Sequence, residues 1–105
     1  MAAVREFVQR NAMASRWRRR RMCLLVVESP APAALRSINA SGAIVETSLK
    51  PALGAPVTLR HPDAGEIAAR VCAVSADAVT IGFDLGERSV AFALAAVAAD
   101  MSRPA

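Results

Sequence analysis

The chain of 105 residues has no tyrosine, one tryptophan, one histidine and one lysine. Aromatic residues make up only 4% of it, although 54% of its residues are hydrophobic. A core must therefore be built mainly from Ala, Val, Leu and Ile, and the length leaves room for one such core. The scarcity of aromatics also argues against a surface that binds nucleic acid by stacking on its bases.

Groups that commonly build catalytic or metal sites are scarce as well. His61 precedes a proline in the turn-like stretch LRHPDAGE, so we expect a solvated loop residue and neither a metal ligand nor a base. Cys23 and Cys72 lie in apolar runs and are expected to be reduced core residues, with a disulfide between them as the alternative. There is no phosphate-binding loop and no glycine-rich dinucleotide motif. We therefore predict no enzyme activity, no cofactor and no metal site.

Long hydrophobic runs are absent too. The run MCLLVV follows a basic stretch, as in an export signal, but Glu28, Ser29 and Pro30 end it after six apolar residues. This is too short for an export signal or for a membrane span. We expect a cytoplasmic protein without membrane insertion.

Six short runs that favour β-strands begin at Met22, separated by Pro, Gly, Asn, Asp and Ser. The runs are residues 22–28, 34–39, 42–47, 56–61, 66–74 and 78–84. Apolar side chains recur at every second position in several of them, which is typical of a strand with one buried face. The clearest cases are Val57 with Leu59, and Ile67 with Ala69 and Val71. The pattern predicts a mostly β fold, a small six-stranded antiparallel β-barrel.

Helical spacing is found on either side of these runs. Four apolar residues near the end recur at spacings of four, three and four: Val90, Leu94, Val97 and Met101. They predict an amphipathic helix over residues 87–101, packed on the barrel. Near the start, Val4, Phe7 and Val8 are also at helical intervals. They predict a short helix, or an arm that becomes helical on docking, within residues 2–14.

Positive charge is concentrated at the start of the chain. Residues 1–21 carry seven arginines and one acid, whereas residues 22–105 carry six basic and eight acidic residues. A basic arm (1–21), a barrel with its helix (22–101) and a tail (102–105) are therefore predicted. A local cationic segment beside a near-neutral domain predicts an anionic partner at one edge of the fold. Arginine suits bidentate recognition of phosphate and guanine, although GC-rich coding produces the same bias.

Within this arm, Arg16 and Arg20 stand four residues apart before the first strand. An Arg-x-x-x-Arg arm followed by a strand, a small-residue turn and a second strand resembles the PilZ domain, a bacterial receptor module for cyclic di-GMP. The likeness covers about residues 16–100. It includes the later runs GAPVTLR and IGFD, which fit a Gly-led strand and the Ile-Gly-Phe close of the family.

The second signature of that family, [Asp/Asn]-x-Ser-x-x-Gly, is matched in part. Anchored on Gly42, the acid or amide position is Ser37 and the serine position is Asn39. A serine hydroxyl makes fewer simultaneous hydrogen bonds to a guanine edge than a carboxylate or an amide does. The loss of one such contact weakens binding by about ten- to a hundredfold.

The resemblance implies a non-catalytic receptor or adaptor whose arm becomes ordered on the barrel when cyclic di-GMP binds, and which then acts on a downstream protein. The ligand-binding residues that it implies are Arg16, Arg20, Ser37, Asn39 and Gly42, with Arg18, Arg19 and Arg21 as auxiliary cations. Two alternatives remain open. One is a degenerate PilZ-like adaptor that binds protein and no nucleotide, and the other is nucleic-acid binding through the arginine arm, with a steep dependence on salt.

Overall fold

The computed structural model describes residues 21–102. The predicted helix within residues 2–14, the arginines at 16, 18, 19 and 20, and residues 103–105 of the predicted tail lie outside the described residues. The strands are β1 (Met22–Val26), β2 (Pro30–Asn39), β3 (Gly42–Glu46), β4 (Pro56–His61), β5 (Gly65–Val74) and β6 (Ala78–Phe83). They are followed by one helix, α1 (Glu87–Ser102). The predicted β-barrel and its C-terminal helix are confirmed.

The six strands close into a barrel in the order β1-β2-β3-β6-β5-β4, and every neighbouring pair is antiparallel. Closure leaves no open edge among these strands. Inward residues alternate with outward ones, as the period of two requires. The largest fully buried side chains are Leu25, Leu59, Ile81, Val45 and Val79. The predicted inward positions at Val57, Leu59, Ile67, Ala69 and Val71 are all buried.

β2 begins at Pro30, four residues before the predicted start, because Pro30 and Pro32 belong to the strand and not to a turn. Pro32 pairs with Leu24 of β1. Its carbonyl accepts a hydrogen bond from Thr47 Oγ1 (3.2 Å), so it faces the β3 side. In an antiparallel ladder the nitrogen of a residue faces the same side as its carbonyl. The N–H that proline lacks is therefore not needed by the ladder with β1.

α1 packs on the barrel through small residues and one ring. Phe92 meets Phe83 edge to face with 5.9 Å between ring centroids, and it meets His61 at 6.3 Å. The buried residues of the helix are Ser89, Phe92, Ala93 and Ala96. At the start of the helix, Ser89 Oγ accepts the N–H of Gly86 (3.0 Å) and caps the first turn.

The predicted core face of the helix is wrong. Val90, Leu94, Val97 and Met101 are 43%, 66%, 39% and 80% exposed. No charged residue occurs between Arg88 and Asp100, so the hydrophobic pattern does not define one face. The alanines allow a closer approach to the barrel than the larger aliphatic side chains. Within the described residues, no helix is long and apolar enough to cross a membrane.

The two cysteines differ in environment. Both are free thiols, Cys23 buried and Cys72 exposed. The prediction that Cys72 is a core residue is wrong, because Cys72 follows the inward Val71 in the regular alternation of β5 and therefore faces outward.

Candidate functional site

The arm joins the barrel beside β2. The N–H of Leu35 donates to the carbonyl of Arg21 at 2.8 Å, which extends the β1–β2 ladder by one residue. Leu35 is two residues before Ser37, the first position of the second signature. The base of the arm and that signature therefore lie on the same part of the barrel.

A β-bulge turns Ser37 outward. The register between β2 and β3 shifts between Leu35 and Ser37, which makes Arg36 the extra residue. Leu35 is buried and Ile38 packs against the core, while Arg36 and Ser37 are both exposed. In an unbulged strand Ser37 would share the inward face of Leu35. The bulge thus places the Ser37 hydroxyl on the outer surface.

Asn39 caps the turn between β2 and β3. Its Oδ1 accepts the N–H groups of Ser41 (2.7 Å) and Gly42 (3.1 Å). Asn at the first position and Gly at the fourth are preferences of a type I turn. Because the oxygen is engaged in the turn, the carboxamide NH2 is the group with which Asn39 can donate to a ligand.

The close approach of β6 leaves no room for a side chain at position 42, which is why a glycine is needed there. A Cβ at this position would clash with the carbonyl oxygen of Ile81. Among the described glycines only Gly54 and Gly65 have positive φ, so Gly42 does not adopt the left-handed conformation. The adjoining turn is tied to β6 as well, since the N–H of Phe83 donates to the carbonyl of Ser41 at 2.8 Å.

A strip without side chains crosses the barrel next to this turn. Gly42 is paired with Asn39 on one side and with Gly82 on the other, and Gly82 is paired with Arg70. Neighbouring strands are about 4.8 Å apart, so about 14 Å separates the backbones of Asn39 and Arg70. Cys72 Sγ borders the strip, 2.9 Å from where a Cβ at Gly82 would lie. Both glycines are partly exposed, so the strip presents main chain at the surface.

Most of the basic side chains around this surface are already engaged. Arg36 Nε and Nη2 donate to Glu46 Oε2 at 2.9 and 2.8 Å. Arg36 Nη2 also lies 3.7 Å from Asp77 Oδ2. Arg70 Nη1 donates to the carbonyl of Gly54 at 3.1 Å. Residues 21–102 carry six basic and eight acidic residues. An anionic ligand bound here therefore needs positive charge from the arm.

Arg21, one of the predicted auxiliary cations, is held by two carboxylates. Its Nη2 lies 3.1 Å from Asp63 Oδ2 and its Nε lies 3.3 Å from Asp100 Oδ1, and only 12% of its side chain is exposed. The guanidinium thus ties the base of the arm to the β4–β5 turn and to the last turn of α1.

His61 is buried, so the prediction of a solvated loop residue is wrong. Its Nδ1 accepts the N–H groups of Asp63 (3.0 Å) and Ala64 (3.1 Å), which caps the β4–β5 turn as Asn39 caps the β2–β3 turn. Its buried Nε2 has no hydrogen-bond partner among residues 21–102, and Asp100 Oδ1 is 4.0 Å away. Burial lowers the pKa of His61, although Asp100 opposes the shift. The ring is therefore neutral at neutral pH.

The buried thiol is not activated. Burial and, secondarily, the charge of Asp100 raise the pKa of Cys23 to about 11, against the opposing effect of Arg21. Cys23 is thus a protonated core residue at neutral pH. No group of three or more His, Cys, Asp or Glu side chains within the described part of the chain is arranged to hold a metal ion.

The structure brings three predicted site residues together on one hairpin: Ser37, Asn39 and Gly42. Arg21 lies at the adjoining base of the arm, and the four other predicted arginines are outside the described residues. Sequence reasoning missed Gly82 and Arg70 as neighbours of the site, because only the pairing of β6 with β3 and β5 brings them there.

Comparison of the chain with protein-family models, with curated proteins and with solved structures found no match.

Proposed function

We propose that this chain is a non-catalytic receptor domain for cyclic di-GMP. One observation carries the proposal. The carbonyl of Arg21, at the end of the arginine arm, accepts a hydrogen bond from the N–H of Leu35, two residues before Ser37. The described end of the arm, at Arg21, therefore adjoins the second signature of the resemblance on the barrel.

The surface has the chemistry for a guanine nucleotide. Outward Ser37 and Asn39 offer hydrogen-bonding groups, and the strip at Gly42 and Gly82 gives a planar base access to the main chain. Arginine forks bind phosphate and the O6/N7 edge of guanine bidentately. Because the described residues contain more acids than bases, Arg16 and Arg20 supply the positive charge for the two phosphates.

The first experiment is calorimetric titration of cyclic di-GMP into the full chain at moderate salt. The double variant Arg16→Ala with Arg20→Ala is compared with Arg5→Ala with Arg10→Ala, which loses the same charge outside the signature. We expect saturable binding to the wild type, loss of binding in the first variant, and a change within about threefold in the control. Equal binding by the wild type and the Arg16/Arg20 variant would overturn the proposal.

The second experiment rebuilds the family signature with Ser37→Asp and Asn39→Ser. Ser37 already faces outward, so the new carboxylate is presented to the ligand, and a serine at 39 keeps an acceptor for the turn. Affinity is expected to rise about ten- to a hundredfold. Binding only after this restoration would identify a degenerate adaptor. Equal, steeply salt-dependent binding of linear and cyclic diguanylate would identify a nucleic-acid binder instead.

A further inference from the structure

α1 has an apolar surface that the described residues do not cover. We call the set Val90, Leu94, Val97 and Met101 the outer face; its members are 39–80% exposed. At 1.5 Å per residue the face extends for about 17 Å along the helix. A helix that is apolar all round is normally buried, and a contiguous exposed apolar patch marks a contact surface.

The arm joins the described part of the chain at one end of this face. Arg21 Nε lies 3.3 Å from Asp100 Oδ1, and Asp100 immediately precedes Met101. The 20 residues that precede Arg21 are therefore attached to the barrel beside the C-terminal end of the outer face.

We propose that residues 2–14 of the same chain cover the outer face as an amphipathic helix that runs parallel to α1. Val4, Phe7 and Val8 would form its apolar contact. Thirteen helical residues are about 20 Å long, which matches the face. The six residues 15–20 span at most about 20 Å. This is enough to connect Arg21 to residue 14, the end of the proposed helix that is nearest to it in sequence. The proposal does not depend on nucleotide binding.

A second copy of the chain fits this face less well. A contact about 24 Å long and about 10 Å wide between two such helices covers roughly 240 Å² on each. A stable interface needs about 800 Å² per partner. A segment of the same chain is present at an effective concentration in the millimolar range, so a small contact is enough to hold it.

Two methionines make the test direct, because each reports on a different apolar surface. Met101 belongs to the outer face, whereas Met22 is 56% exposed on the outer side of β1. Oxidation by hydrogen peroxide follows the exposure of a methionine, and mass spectrometry of peptides resolves the two sites. The full-length wild type is compared with Phe7→Asp and with Gln9→Asp, which introduces the same charge on the opposite side of the proposed helix.

Phe7→Asp is expected to accelerate oxidation of Met101 by about threefold or more, and to leave Met22 unchanged. Gln9→Asp should match the wild type at both positions. Leu94→Asp, made from the other side of the contact, should also accelerate Met101. The double variant of Phe7 and Leu94 should be no faster than the faster single variant, because both remove one contact.

Three results would overturn the proposal. The first is an equal oxidation rate of Met101 in the wild type and in Phe7→Asp. The second is acceleration of Met22 in place of Met101, which would put the arm on β1. The third is a concentration-dependent dimer, seen by light scattering, that Leu94→Asp abolishes and Phe7→Asp does not, because the occupant would then be a second copy.

Discussion

The three glycines at positions 42, 82 and 86 allow a graded test of the barrel, because an added methyl group meets a different obstacle at each. At Gly42 the Cβ would clash with the Ile81 carbonyl, at Gly82 it would lie 2.9 Å from Cys72 Sγ, and at Gly86 it meets nothing within 4 Å. A carbonyl within a paired strand moves only with its ladder, whereas an exposed thiol can rotate away. Substitution by alanine should therefore destabilise the protein most at Gly42 and least at Gly86.

The sizes of these effects follow from the same contacts. Overpacking costs about 1–3 kcal/mol, and the backbone clash places Gly42→Ala near the upper end, about 3 kcal/mol. For a domain of this size that lowers the melting temperature by about 12–24 °C. Moving the thiol costs about 1 kcal/mol in Gly82→Ala. In Gly86→Ala, the lower entropy of the unfolded chain offsets the poorer helix cap, so the net change is near zero.

Urea and thermal unfolding, followed by circular dichroism without ligand, measure this order. Adding Cys72→Ala to Gly82→Ala should restore most of the lost stability, because it removes the atom that the new methyl group meets. The same substitution should not rescue Gly42→Ala. If Gly42→Ala is no more destabilising than Gly86→Ala, the pairing of Gly42 with Gly82 and the close approach of β6 are wrong.

Three further predictions concern caps and a buried titratable group. Asn39→Ala removes the acceptor for two turn N–H groups and should cost about 1–2 kcal/mol in urea unfolding, while Asn39→Ser should lose less; equal losses would contradict the cap. Ser89→Ala leaves the Gly86 N–H without its acceptor and should cost about 1–2 kcal/mol, and an unchanged unfolding midpoint would exclude that cap. Burial lowers the pKa of His61 from 6.5, so the unfolded chain takes up this proton first. The free energy of unfolding should then be greatest above about pH 6.5 and should fall as the pH drops below it.

The control for the pH prediction is His61→Asn, which keeps an acceptor for the β4–β5 turn and removes the titrating ring. This variant should lack the decrease in stability between about pH 6.5 and pH 5. A wild-type stability that is flat over this range, or a variant with the same slope, would show that His61 does not titrate in this way.

The strands could be predicted because their limits are set locally. Turn residues end each run, and the alternation of apolar residues shows which face is buried. The same alternation extends from Val57 and Leu59 to His61 and indicates that His61 points inward, whereas the following proline favours a turn. The start of β2 could not be predicted, because prolines usually mark a turn. They are compatible with this strand because their nitrogen faces away from β1, the strand with which they pair.

The face of α1 could not be predicted from its hydrophobic spacing. Large aliphatic residues and alanines are distributed around the whole helix, and the barrel accepts the side with Phe92 and the alanines. That choice depends on the shape of the surface beneath the helix, which the helix sequence does not contain. In the candidate site, the Ser37–Gly42 hairpin followed from local signals, whereas the bulge at Arg36 and the pairing with β6 depend on the closed sheet.

The side chain of Arg21 keeps the beginning and the end of the folded region next to each other, through its ion pair with Asp100. A domain with adjacent ends can be inserted into a loop of a larger protein without forcing the flanking sequences apart. Through this ion pair, a force on the arm at Arg21 acts also on the point at which the chain leaves the helix. Ligand binding at the proposed nucleotide surface would therefore be transmitted to both flanking sequences at one location.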